Sequence, residues 1–121
     1  MSKTTILGQW GEEQTASYLQ ARGYEILHRN WRCRWGELDL IARQGEYLCF
    51  VEVKLRGSAA FAPPRAFVTL TKQKRLRLAA ECYLTQRDTG LQPRFDVAEV
   101  FAPQGSDTLT PAIQYWENAF E

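Results

Sequence analysis

The stretch that most limits what this chain can fold into runs from Glu37 to Lys54. Two apolar-rich segments, Glu37–Arg43 and Tyr47–Lys54, flank a tight Gly45-Glu46 step. A two-residue connection carrying glycine at its first central position predicts a β-hairpin. With Gly45 and Glu46 as the loop, Gln44 faces Tyr47, Ile41 faces Phe50, Asp39 faces Glu52 and Glu37 faces Lys54. Strand side chains alternate between faces. Glu37, Asp39, Ile41, Phe50, Glu52 and Lys54 therefore share one face, and Leu38, Leu40, Ala42, Val51 and Val53 share the other. Directly opposed residues have Cβ atoms about 4.5–5.5 Å apart, so Asp39 and Glu52 are expected to meet as a carboxylate pair.

Two like charges set against each other on a sheet are destabilising unless something offsets the repulsion. A hard cation does so. Two carboxylates, here Asp39 and Glu52, with the Val53 carbonyl make a partial oxygen shell of the kind Mg²⁺ or Mn²⁺ accepts, waters completing it. The ammonium of Lys54 is then placed to orient a water and to stabilise charge developing on a phosphate, and Glu12 can reach over from the first helix as a further carboxylate. The alternative is structural: Glu37 and Lys54 as a cross-strand ion pair, Asp39 and Glu52 on a solvated face. Ile41 and Phe50 share that face, which argues that it is at least half-buried and that acids on it need a partner.

The rest of the chain arranges itself around this hairpin. Ile6–Arg22 carries Leu7, Trp10, Ala16 and Leu19 at helical spacing, with Gly23 placed to end the helix. Tyr24–Asn30 reads as a strand, followed by an aromatic and basic stretch, Trp31–Trp35. Leu55–Pro64 reads as a loop ending in Pro63-Pro64, Thr71–Thr85 as a helix with Leu76, Ala79, Ala80 and Tyr83 on one side, Arg94–Phe101 as a strand, and Pro111–Trp116 as an edge strand. The order α-β-β-β-α-β-β predicts an α/β fold: one domain over residues 1–121, a mixed sheet flanked by helices.

Composition narrows the function classes. Fifteen Lys and Arg against fourteen Asp and Glu give a net charge of +1, so nucleic-acid binding would require positive charge gathered on one face. The longest apolar runs fall far short of the roughly 18–20 residues of a membrane span, and Met1–Thr5 lacks the apolar block of a signal peptide. Three scattered cysteines and one histidine argue against a disulfide framework and a structural zinc site. A cytoplasmic protein is expected. Lys72, Lys74, Arg75 and Arg77 crowd the unfavourable, positive end of the second helix; with Arg56 they are candidate phosphate contacts. Trp31 and Trp35, among Arg29, Arg32 and Arg34, read either as stacking surfaces for unpaired bases or as a hydrophobic lid or dimer contact. Asp96 is expected either to be structural, paired with a basic group, or to support the site residues from behind, and Cys49 to be a core residue.

Asp39 followed by Glu52-Val53-Lys54, after a helical Glu12, resembles the PD-(D/E)xK nuclease motif of the restriction-endonuclease-like fold, with Leu38 where that motif carries proline. More specific are Gly8-Gln-Trp-Gly-Glu12, Gly23-Tyr-Glu-Ile-Leu27, Asn30-Trp-Arg32, Gly36-Glu-Leu-Asp-Leu-Ile41, Phe50-Val-Glu-Val-Lys54 with Arg56, Lys72, Arg94-Phe-Asp-Val97 and Asn118-Ala-Phe120. Together these resemble the YraN-like family of small bacterial proteins, over essentially the whole chain. The resemblance extends to archaeal Holliday-junction resolvases and implies catalytic roles for Glu12, Asp39, Glu52 and Lys54, a Mg²⁺ or Mn²⁺ cofactor, a DNA substrate and a homodimer. The expected activity is metal-dependent hydrolysis of DNA phosphodiesters on branched structures. The competing expectation is a non-catalytic nucleic-acid-binding module that kept the fold.

Overall fold

The computed structural model describes residues 6–57 and 68–121. Met1–Thr5, expected to lack a signal peptide, and most of the expected Leu55–Pro64 loop, its two prolines included, lie outside the described residues. In chain order the elements are α1 (Ile6–Ala21), β1 (Glu25–Cys33), β2 (Gly36–Gln44), β3 (Tyr47–Arg56), α2 (Leu70–Thr85), β4 (Gln92–Phe101) and β5 (Ala112–Phe120), with a 3₁₀ turn at Gly105–Asp107 before β5. They form one five-stranded sheet in the order β1-β2-β3-β4-β5. Neighbours are antiparallel except β3 and β4, which run parallel. Parallel neighbours cannot be joined by a tight turn, and α2 lies in the connection between them. This is the mixed α/β architecture expected from the order of elements.

The helices cover opposite faces. On one, Leu76, Ala79, Ala80 and Tyr83 of α2 bury Ile41, Leu48, Phe50 and Val97. On the other, Leu19 of α1 packs with Leu40, Ala42, Cys49, Val51 and Ala98. Gly11 lets α1 come down onto β3, since a Cβ there would stand 3.0 Å from the Leu55 side chain. Thr69 caps α2, its hydroxyl accepting from the Lys72 N–H at 3.2 Å.

β1 is longer than its sequence suggests. It runs through Trp31 to Cys33, which pairs with Gly36, so Arg34 and Trp35 form a second two-residue hairpin turn. Within β1, Asn30 adopts a left-handed backbone, φ 52°, a conformation that costs most L-residues about 1–2 kcal/mol and asparagine less. Its neighbours Arg29 and Trp31 pair with Leu40 and Leu38, which flank Asp39, so the strain lies directly across from that acid. Both Asn30→Gly and Asn30→Ala delete the side-chain amide, but only alanine retains the left-handed penalty. Urea unfolding should therefore find the alanine variant less stable than the glycine variant by about 1 kcal/mol; equal stabilities would show that the position carries no backbone strain.

Candidate active site

The β2–β3 ladder follows the expected register from Gln44↔Tyr47 through Ile41↔Phe50 to Leu40↔Val51. Beyond that pair it is replaced by a side-chain contact: Oδ2 of Asp39 accepts the Val53 N–H at 2.9 Å. Strict alternation breaks at the same place. Leu38 joins Ile41 and Phe50 under α2, whereas Leu40 and Ala42 pack under α1. The expectation that Leu38 shares a face with Leu40 is thus corrected. An acid in the ladder position turns its carboxylate inward to take a backbone donor, and the strand shifts around it. Glu37 likewise does not meet Lys54; it pairs with Arg32 across the β1–β2 hairpin at 3.4 Å.

Asp39 nevertheless stands close to Glu52. Burial and the Glu52 charge push the Asp39 carboxyl well above the usual carboxylate range, with the Val53 N–H opposing and Glu12 and Glu37 adding to the rise. Glu12, buried on α1, is raised mainly by burial, while a hydrogen bond from the Asn30 side chain opposes the shift. Glu12, Asp39 and Glu52 thus form one electrostatic group drawn from α1, β2 and β3. The Lys72 ammonium of α2 makes an ion pair with Glu52, so the lysine expected on a phosphate lies instead on the acidic pair.

Lys54 shares the face of Glu52, is exposed, and stands in register with Glu99 of β4. Glu99 is fully buried, accepting from Arg56 Nε and Trp116 Nε1, each at 2.8 Å. This fixes Arg56 against the sheet. Sequence reasoning missed Glu99, although an acid within Val97-Ala-Glu-Val100 repeats the signal that singled out Glu52 within Phe50-Val-Glu-Val53.

Above the acids opens a cleft of about 1080 Å³ between the N-terminal half of α2 and the Arg34–Trp35 turn. Asp39 and Glu52 line it together with Lys72, Lys74 and Arg75. Arg56 and Lys54 are not among its lining residues. The positive end of the α2 dipole adds to the lysines and arginine, for the first turn of α2 holds no acid. The cleft therefore joins a negative patch to a positive wall. The two tryptophans flanking this turn part company. Trp31 packs edge-on against Tyr83, ring centroids 5.3 Å apart, while Trp35 is 42% exposed and lines the cleft.

A second polar cluster is structural, as expected for Asp96. This fully buried carboxylate accepts from Arg94 Nε at 3.0 Å, from the Tyr115 hydroxyl at 2.6 Å and from the Asn118 N–H at 2.9 Å. Arg94 also donates to the Tyr24 hydroxyl at 3.0 Å. Asp96 sits where the β4–β5 register shifts, between Phe95 and Val97, and its oxygens take up a donor that the interrupted ladder leaves over.

The donor set suits a hard divalent cation. Asp39 and Glu52 offer carboxylate oxygens on adjacent strands, and burial first, then the Glu52 charge, raises the proton affinity of Asp39, so a cation there would offset a buried like-charge pair of which Lys72 contacts only Glu52. Among the described residues, no three His, Cys, Asp or Glu side chains close into a ready-made metal cage. The residues that fit such an ion are thus two carboxylates, Asp39 and Glu52. Among the described residues, no helix is long and apolar enough to cross a membrane.

The profile of uncharacterised protein family UPF0102 matches residues 11–100. A UPF0102 protein of Caldicellulosiruptor saccharolyticus is 44% identical over 115 residues, covering 94% of this chain and 96% of its own. One from Rhodococcus jostii is 42% identical over 123 residues, covering 99% and 100%; one from Nocardia farcinica is 48% identical over 115 residues, covering 94% and 88%. With Asp39, Glu52 and the strands that carry them inside the matched region, the chain belongs to UPF0102, the family of YraN-like proteins.

Proposed function

We propose that this protein is a metal-dependent nuclease that hydrolyses DNA phosphodiester bonds, acting on branched or otherwise non-duplex structures. The observation that carries this reading is the cleft itself, in which Asp39 and Glu52 lie beside the basic N-terminal half of α2. Such a cleft suits a cation on its acidic side and a polyanion along its basic wall.

Asp39, Glu52 and the Val53 carbonyl are the residues to hold Mg²⁺ or Mn²⁺. The ion, when bound, supplies Lewis-acid stabilisation of charge on the phosphate. Asp39 is fixed for its task by the Val53 N–H. Glu12 lies behind it, held by Asn30, and adds negative charge that favours a cation. Lys54, two residues along β3 from Glu52 and outside the lining of the cleft, would have to swing its exposed side chain toward the acids to orient the attacking water and stabilise the negative charge that grows on the phosphate oxygens. Lys74 and Arg75 hold flanking phosphates, which positions the strand without reading its sequence.

The second reading, a nucleic-acid-binding module without catalysis, is favoured by the Lys72–Glu52 ion pair, which already neutralises one acid. A panel of labelled single-stranded, duplex, flap and four-way-junction DNA and RNA, incubated with Mg²⁺ or Mn²⁺, separates the two. The nuclease reading expects metal-dependent cutting with a preference for non-duplex DNA. Binding without cutting of any substrate would favour the module.

A further inference from the structure

We propose that Trp35 is a stacking platform for an unpaired base, so that the cleft takes nucleic acid with at least one unpaired nucleotide beside the bond to be cut. The proposal rests on the nuclease reading for that last clause and on the cleft alone for the rest. Trp35 occupies the second position of a two-residue turn closed by the Cys33↔Gly36 pair, so its ring stands on a rigid hairpin end. It is 42% exposed, and the Asp39 and Glu52 carboxylates line the same cleft.

The Arg34 guanidinium lies 4.7 Å from the centre of the Trp35 ring. That contact covers one face of the indole and steadies it, so a base would stack on the opposite face. Lys74 and Arg75 line the cleft with it, so a strand whose base meets Trp35 has cations for its phosphates. Bases within a duplex are already stacked and paired and offer no π-face to a side chain, whereas an unpaired base does. The same local sequence packs Trp31 against the core at Tyr83, which leaves Trp35 as the tryptophan of this stretch that lines the cleft.

The test is fluorescence anisotropy with labelled single-stranded and blunt duplex DNA of equal length, in EDTA so that no cleavage occurs. Wild-type, Trp35→Phe and Trp35→Ala proteins are compared. Trp35→Ala is expected to weaken single-strand binding roughly 5- to 100-fold, Trp35→Phe much less, and duplex binding less than about two-fold for either. A second readout does not depend on how well the alanine variant folds. The indole fluorescence that wild type has and Trp35→Phe lacks should be quenched by the single strand and not by the duplex. Equal losses on both DNAs, no loss on either, or unquenched Trp35 emission would overturn the proposal. So would a change confined to oligomeric state, which would make Trp35 a contact between copies. Because binding is read without metal, failure of the nuclease reading, seen as absent cutting, is distinguishable from failure of this one.

Discussion

Asp39→Asn should lower metal-dependent cleavage by roughly 10²–10³-fold or more, the scale of losing a preorganised electrostatic group in an active site, while leaving the fold intact. The reason lies in what the substitution keeps. The amide oxygen can still accept the Val53 N–H that Asp39 accepts at 2.9 Å, so the junction between β2 and β3 persists. What disappears is a negative charge set against Glu52 and Glu12, which after burial raise the proton affinity of Asp39. In EDTA the variant should melt at the same temperature as wild type or higher, because the repulsion is gone. Glu52→Gln should lose activity to a similar degree. It also loses its ion pair with Lys72, so its stability gain is smaller. Gel-resolved cleavage rates and thermal melts on the same preparations check both. Activity retained within a factor of a few in either variant would exclude these carboxylates from the chemistry.

Arg94→Met should destabilise the domain by about 3–5 kcal/mol, the cost of leaving a buried charge without its partner. Asp96 is fully buried and its oxygens are arranged around the guanidinium. Without Arg94, the Tyr115 hydroxyl and the Asn118 N–H would remain as partners for an uncompensated carboxylate. The melting temperature should fall by on the order of 10 °C. An Arg94→Met/Asp96→Leu pair should recover part of the loss, since removing both charges relieves the desolvation that a single substitution exposes. A loss below about 1 kcal/mol, as expected of an exposed ion pair, would mean that water reaches the Asp96 site.

How much of this was legible in the sequence depends on how local each interaction is. The hairpin register up to Leu40↔Val51 follows from a two-residue turn and alternation, and it holds. The break beyond it does not follow from either. It comes from the Asp39 carboxylate taking the Val53 N–H and from Asn30 turning left-handed across from it. Neither the Gly45 turn nor the apolar periodicity carries that information, although asparagine is the residue type that tolerates such a backbone. The parallel pairing of β3 with β4 brings together residues more than forty positions apart, such as Arg56 and Glu99. That is why Arg56 reads as an open phosphate contact in the sequence and lies against a buried acid in the fold. Lys72 shows the same limit. Its place at the start of a basic helix was visible, and its partner Glu52 depended on how α2 packs. The carboxylate pair itself was legible because acids inside Phe50-Val-Glu-Val53 and Leu38-Asp-Leu40 demand an explanation wherever the strands end up.

The central claim is that Asp39 and Glu52 hold a divalent cation, and Mn²⁺ binding followed by electron paramagnetic resonance tests it most directly. Wild-type protein should bind one Mn²⁺ that Mg²⁺ displaces, and an Asp39→Asn/Glu52→Gln variant of unchanged melting behaviour should lose that site. Equal Mn²⁺ binding by wild type and variant, or none by a folded wild type, would contradict the account and leave the two acids a structural role.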